Sequence, residues 1–337
     1  FSCKSKNNKP VEAIESIDDS STTEKILTVI DYDDLLSVKE NIESNKFSSL
    51  YKKLLNEADE ALKEDPFSVV DKTQTPPSGD KHDYISYGPY WWPDPEKEDG
   101  LPWIRRDGEI NPLTRDNTTD YTTKSQFINN TSNLTLGYFF SDNELYAQKA
   151  IELLKVWFIN KDTKMNPNLD FAQGIPGINV GRGIGIIDFA GITKIITSIE
   201  LLEIKNAIDT DLSTKLRSWF TDYLNWLQTS ENGIFEENKE NNHGTWYDVQ
   251  LVSIQLFLNK KEEAKNVLET AKSKRITSQL EPNGAQPHEL ARTKTLSYSS
   301  MNLRGMTQLA YLGTKVNVDL WNHTPNNKGS IQQAYEF

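Results

Sequence analysis

Ile195-Ile196-Thr197-Ser198-Ile199-Glu200-Leu201-Leu202, followed after a polar break by Leu216, Trp219, Phe220, Tyr223, Leu224 and Leu227, sets the fold class. Apolar side chains at these spacings line up as one stripe on each of two successive helices, and each stripe needs a neighbour to cover it. The pattern recurs at about 124–141, 144–159, 185–204, 211–229, 244–258, 261–275 and 297–312, while the alternation that marks strands is almost absent. Helices of similar length, joined by alternately short and long connectors without a fixed sequence repeat, predict an all-α (α/α) toroid. The expectation is an incomplete barrel of about six to seven helical hairpins rather than a four-helix bundle. Upstream, Leu35, Leu36, Ile42, Phe47, Leu50, Tyr51, Leu54, Leu55, Ala58 and Leu62 give one broken helix or two short ones, stopped by Asp65-Pro66.

Between Phe67 and Tyr121 the chain is too rich in Pro and Gly for regular helix. Tyr84, Tyr87, Tyr90, Trp91, Trp92 and Trp103 fall in this stretch. Such aromatic surface is costly to leave in water, so the segment is expected to fold over the body as an aromatic-rich loop across a cleft. Residues 1–30 are polar and read as an N-terminal tether, which leaves 31–337 as a single barrel domain. Phe1-Ser2-Cys3-Lys4-Ser5 resembles the end of a bacterial lipoprotein signal with Cys3 acylated, which implies membrane attachment and a periplasmic or outer-membrane location. Ser330 opens a further helix just before Phe337, and a continuation of the native chain is expected there.

The formal net charge is −12, from 37 basic and 49 acidic side chains, which argues against nucleic acid or an anionic membrane surface as partner. An acidic polymer would have to be held by a local basic patch. With Cys3 as the one cysteine there is no disulfide framework and no cysteine-based metal site. His82, His243, His288 and His323 lack any metal-binding helical spacing, and no nucleophile elbow or phosphate loop is present, so the site is expected to hold no metal.

The polar residues with chemical potential gather ahead of two helices. Asn241-Asn242-His243-Gly244-Thr245-Trp246 puts two amides, an imidazole and an indole at one helix mouth, and His288-Glu289-Leu290-Ala291-Arg292 leads into Tyr298 at another. A neutral His accepts a proton near neutral pH, and a Tyr does so if a cation such as Arg292 lowers its pKa. Amides and Arg hydrogen-bond a carboxylate and offset its charge. The combination suits abstraction of a proton next to a carboxylate. Read blandly, Asn241 and Asn242 are helix caps, His243 and Tyr298 are core residues, and Arg292 pairs with Glu289. Asn129 and Asn130, mid-helix amides, and Arg182 in a Gly-rich connector are further candidates for facing a cleft.

Asn-Asn-His-Gly-Thr-Trp at 241–246, Glu-Leu-Ala-Arg-Thr at 289–293 with Tyr298 following, Asn-Leu-Asp-Phe-Ala-Gln-Gly-Ile-Pro-Gly at 168–177 with Gly-Arg-Gly at 181–183, and Tyr-Trp-Trp-Pro-Asp-Pro at 90–95 together resemble the alginate lyase superfamily. The likeness is to polysaccharide lyase family 5 and its relatives, including family 38, and runs from about Tyr84 to Trp321. It implies an (α/α) barrel and β-elimination on a uronate polysaccharide without a cofactor, by a chain expected to act as a monomer. Carried over, Asn242 and His243 match the carboxylate-neutralising pair, Arg292 the active-site Arg and Tyr298 the catalytic Tyr. Asn129, Asn130, Arg182, Tyr84, Tyr90, Trp91, Trp92, Asn241, Trp246 and His288 are then expected to bind sugar.

The implied substrate is alginate, foremost poly-β-D-mannuronate, with glucuronan or a glycosaminoglycan as alternatives. Two readings from other classes remain at this level. One is a glycoside hydrolase using two of Asp170, Asp188, Glu236, Asp248 and Glu289; the other is a non-catalytic glycan-binding lipoprotein with Trp91-Trp92 as its platform.

Overall fold

A computed structural model describes residues 26–337. Cys3 and most of the tether lie outside the described residues. Twelve α-helices occur among the described residues: α1 (Tyr32–Glu40), α2 (Ser48–Lys63), α3 (Tyr121–Ser141), α4 (Glu144–Phe158), α5 (Ile192–Ile204), α6 (Thr210–Thr229), α7 (Glu231–Glu237), α8 (Asn242–Phe257), α9 (Lys261–Ala271), α10 (Pro287–Leu290), α11 (Thr295–Thr314) and α12 (Ile331–Glu336). The broken upstream stripe is two helices, α1 and α2. Helices α3, α5, α8 and α11 pack side by side as an inner layer, and α2, α4, α6, α9 and α12 back them from outside. This is the (α/α) toroid architecture.

Helix α8 is the spine. Of its 16 residues, all but His243 and Leu256 are buried, so it is enclosed on every side. Tyr247, Leu251, Ile254 and Phe257 join one large apolar cluster, whereas Trp246, Val249 and Val252 join a second that includes Leu268, Met306, Leu309 and Ile331. The two halves of the core therefore meet on one helix, and the mouth of that helix is fixed from both sides.

Four short strands lie in the connectors: β1 (Ile85–Tyr87), β2 (Trp91–Trp92), β3 (Ile104–Arg105) and β4 (Phe171–Gly174). Strand β1 pairs parallel with β4, and β2 pairs antiparallel with β3. None is long enough to show alternation in sequence, yet the β1–β4 pair ties the aromatic-rich segment to the connector after α4. The two ends of that segment are also joined: Lys72 Nζ lies 3.0 Å from Asp120 Oδ2, and both side chains are fully buried. Asp120 accepts in addition from the Ile85 amide at 2.8 Å. The expected long loop is thus a folded cover with a fixed base.

Glu200, on α5, is buried and accepts from the Thr28 amide at 2.9 Å and from its hydroxyl at 2.5 Å, which holds the start of the described chain against the inner layer. Burial raises its pKa to about 7, against the pull of the Thr28 hydrogen bonds. A carboxyl whose pKa is higher folded than unfolded contributes stability that is complete below its unfolded value near 4.5 and lost as pH rises through 7. Glu200→Gln is neutral throughout. The variant is expected to gain stability relative to wild type between pH 5 and 8, by up to about 3 kcal/mol, in denaturant titrations at each pH. A pH-independent difference would show that Glu200 does not titrate in this way.

Candidate active site

The mouth of α8 is built by three buried ionic or charge-assisted contacts. Arg275, in a π-helical segment continuing from α9 (Lys272–Thr277), makes a two-point ion pair with Asp248 at 2.7 and 2.9 Å. The same guanidinium donates to the carbonyls of Lys239 at 2.8 Å and Glu237 at 2.7 Å. It thereby fixes the turn that enters α8. Gly244 is required by this arrangement: a Cβ there would lie 2.0 Å from the Lys239 carbonyl oxygen and 2.6 Å from Arg275 Nη1.

Asn241 caps α8, its side-chain oxygen accepting from the His243 amide at 3.2 Å. Asn242 is held by buried Glu289, which accepts from its backbone amide at 2.7 Å and from Nδ2 at 2.8 Å. Glu289 therefore serves Asn242 and is not the ion-pair partner of Arg292. His243 Nδ1 lies 2.6 Å from Glu236 Oε1, within hydrogen-bond distance. The first-turn amides of α8 and its positive dipole end add to an anion-binding environment here.

The second mouth, at the start of α11, brings Arg292 and Tyr298 together as expected. Arg292 Nη2 donates to the Tyr298 hydroxyl at 2.8 Å and to Asp107 Oδ1 at 2.9 Å, with the guanidinium 3.9 Å from the Tyr298 ring centre. Tyr298 donates to the Tyr90 hydroxyl at 2.7 Å. The expectation that Arg292 lowers the Tyr298 pKa is corrected. Burial raises it, the hydrogen bond to Tyr90 raises it further, and the opposing pull of Arg292 does not win. Asp107 is held ionised, well below the usual carboxylate range, by Arg292. Tyr298 therefore rests as a phenol.

These groups open on one cleft of about 520 Å³. Tyr90, Trp91, Arg182, Asn241, Asn242, His243, Arg292 and Tyr298 line it, as the sequence reading expects. Arg182 donates from Nε to the Gln173 carbonyl at 2.8 Å and lies 6.0 Å from the Trp91 ring. The other sugar-binding expectations are corrected. Trp92 is on the opposite face of β2 from Trp91, because adjacent strand residues point in opposite directions, and its indole donates to the Glu109 carbonyl. Asn129 accepts from Lys194 on the neighbouring α5 and Asn130 donates to Glu64 just beyond α2, and neither lines the cleft. Tyr84 is fully buried and donates to Asp188 at 3.0 Å. Trp246 packs in the core and donates to the Met301 carbonyl, while His288 on α10 is exposed and outside the cleft.

The sequence reading missed Arg105, Arg115, Tyr121 and Lys239, which also line the cleft. Among the described residues Arg115, Arg182 and Lys239 pair with no carboxylate. The signal was a run of Arg residues at 105, 106 and 115 beside aromatics in an acidic chain. The rim carboxylates offer no hydrolase pair. Asp188 accepts from Tyr84, Ser86 and Gln173, Asp248 is tied to Arg275, Glu289 to Asn242, Glu236 to His243, and Asp170 accepts from Trp226.

The family model described as alginate lyase matches residues 68–337. The chain belongs to the alginate lyase family. An alginate lyase structure from Bacteroides ovatus is 41% identical and superposes with a TM-score of 0.89 over 92% of this chain and 82% of that one. Alginate lyase A1-III from Sphingomonas species A1 shares the fold at 16% identity, with a TM-score of 0.56 over 90% of this chain and 75% of that one. A variant of A1-III complexed with a tetrasaccharide is 15% identical, with a TM-score of 0.58 over 90% and 74%. No curated protein matches. As a member of this family the protein is a polysaccharide lyase.

Arg275→Met leaves Asp248 buried without its partner and frees two carbonyls at the mouth of α8. A loss of about 3–5 kcal/mol in denaturant titration is expected. A loss under about 1 kcal/mol would show that the turn is held by other contacts.

Proposed function

We propose that this lyase cleaves alginate by β-elimination, with poly-β-D-mannuronate as the preferred polymer. The observation that carries the reading is the convergence of Asn242, His243, Arg292 and Tyr298 on a cleft whose lining is basic in a chain of net charge −12. In this reading Asn242, His243 and Arg292 hold the C6 carboxylate of the uronate in the +1 subsite, the residue that becomes unsaturated, which stabilises the negative charge that builds there as the C5 proton is removed. The C5–H electron pair then forms the C4–C5 double bond, the C4–O4 bond breaks, and O4 receives a proton. Arg182, Tyr90, Trp91, Arg115 and Lys239 bind neighbouring sugars.

In β-D-mannuronate the C5 proton and O4 lie on one face, so Tyr298 serves both steps, as base and then as acid. The raised pKa of Tyr298 favours a second reading for α-L-guluronate residues, in which the two groups lie on opposite faces. There His243 Nε2 takes the proton and Tyr298, already a phenol, supplies the one needed by O4. Both readings need Tyr298. The bacterial lipoprotein location belongs to the same proposal and follows from the sequence around Cys3.

Ultraviolet absorbance of the new double bond conjugated with the carboxylate tests this directly. Wild type should give a rise on polymannuronate and a smaller one or none on polyguluronate, and Tyr298→Phe should slow it about 10²–10⁴-fold. A larger rise on polyguluronate would select the second reading; new reducing ends without absorbance would sink both. Arg182→Ala should raise KM severalfold with a smaller change in kcat, and should weaken the dependence of KM on salt.

A further inference from the structure

Each of the two buried carboxylates Glu289 and Asp248 satisfies several donors that hold the backbone together. Glu236 does not. Its side chain on α7 is fully buried, Oε1 lies 2.6 Å from His243 Nδ1, and Oε2 has no hydrogen-bond partner among the described residues. Burying a carboxylate with a single donor is unfavourable and adds no link to the scaffold beyond that imidazole. The imidazole itself lines the cleft, with 16% of its side chain exposed. Among the described residues the hydrogen bonding of the Glu236 side chain is therefore to His243 alone, while its charge also reaches Arg182.

We propose that Glu236 is a positioning residue that fixes Nδ1 as the protonated nitrogen of His243, so that Nε2 is the only imidazole nitrogen presented to substrate. A carboxylate accepts and cannot donate, so the neutral ring beside it carries its hydrogen on Nδ1 and keeps the Nε2 lone pair free. When the ring takes up a proton, Nε2 becomes a donor toward a bound anion and Nδ1 stays where it was. Without the carboxylate, the ring can rotate or carry its hydrogen on Nε2. An Nε2–H on a neutral ring can no longer accept the C5 proton, and a rotated ring no longer points at the C6 carboxylate. The tautomer holds whatever the enzyme's substrate; its kinetic consequence rests on the lyase reading.

Only four histidines are present, so their ring nitrogens are separable by long-range ¹H–¹⁵N correlation spectroscopy. Wild-type His243, in its neutral form, is expected as the Nδ1–H tautomer. Glu236→Leu, which removes the acceptor, should shift it to Nε2–H or to a mixture and lower kcat about tenfold or more with little change in KM. Glu236→Gln keeps a carbonyl acceptor and should fall between the two in both tautomer and kcat. A neutral wild-type His243 found as Nε2–H overturns the proposal whatever the variants do. So does a Glu236→Leu protein with unchanged tautomer. A shifted tautomer with unchanged lyase turnover would instead remove His243 Nε2 from the mechanism while leaving the role of Glu236 intact.

Discussion

The site depends on one buried guanidinium. Arg275 has little freedom to choose another partner: Asp248 takes two of its five donors, and two peptide carbonyls of the turn before α8 take two more. A buried charge pair is a poor source of net stability, since desolvation offsets most of its attraction, but it tolerates little displacement. Here that intolerance is transmitted over a few residues to the cap Asn241, to the amide of Asn242 and to the imidazole of His243. Gly244 is the complement of the same constraint, because no side chain fits between the turn and Arg275.

The electrostatic design is local. The net charge as a whole is acidic, yet Arg115, Arg182 and Lys239 line the cleft with no carboxylate paired to them among the described residues, and Arg292 lines it paired with Asp107. Burial lowers the pKa of Arg182, and a guanidinium in a protein stays charged at ordinary pH. An anionic polymer is thus repelled by most of the molecule and attracted at one place. Asp107 tempers that attraction at the reacting end, since it shares Arg292 with Tyr298 and keeps the phenol from being drawn toward its ionised form.

The helical toroid was legible because its stripes are long and regular, and the two helix mouths were legible because they concentrate rare polar residues. What the sequence concealed follows from geometry that no local pattern records. Glu289 meets Asn242 across 47 positions and Asp107 meets Arg292 across 185, so neither partnership leaves a spacing to read. Glu236 stands only seven positions from His243, but the turn between them is set by distant Arg275. Trp91 and Trp92 are equivalent in sequence and opposite in the pleat of β2. Asn129 and Asn130 were read as cleft residues from helix propensity alone, and contacts with the neighbouring helices, through Lys194 and Glu64, were the simpler outcome.

The ion pair between Lys72 and Asp120 joins both ends of the aromatic-rich cover at a single buried point, next to the start of α3. In terms of chain statistics the segment is a loop closed at its base, and the entropy of closing such a loop grows only with the logarithm of its length, by about 0.6 kcal/mol per doubling. Its exposed stretch at 95–99 can be lengthened, shortened or exchanged at little cost to the barrel beneath, whereas Tyr84, Ile85 and Asp107 stay tied to the body. The cover is therefore the part of the molecule in which specificity for a different polymer can be rewritten without re-solving the fold.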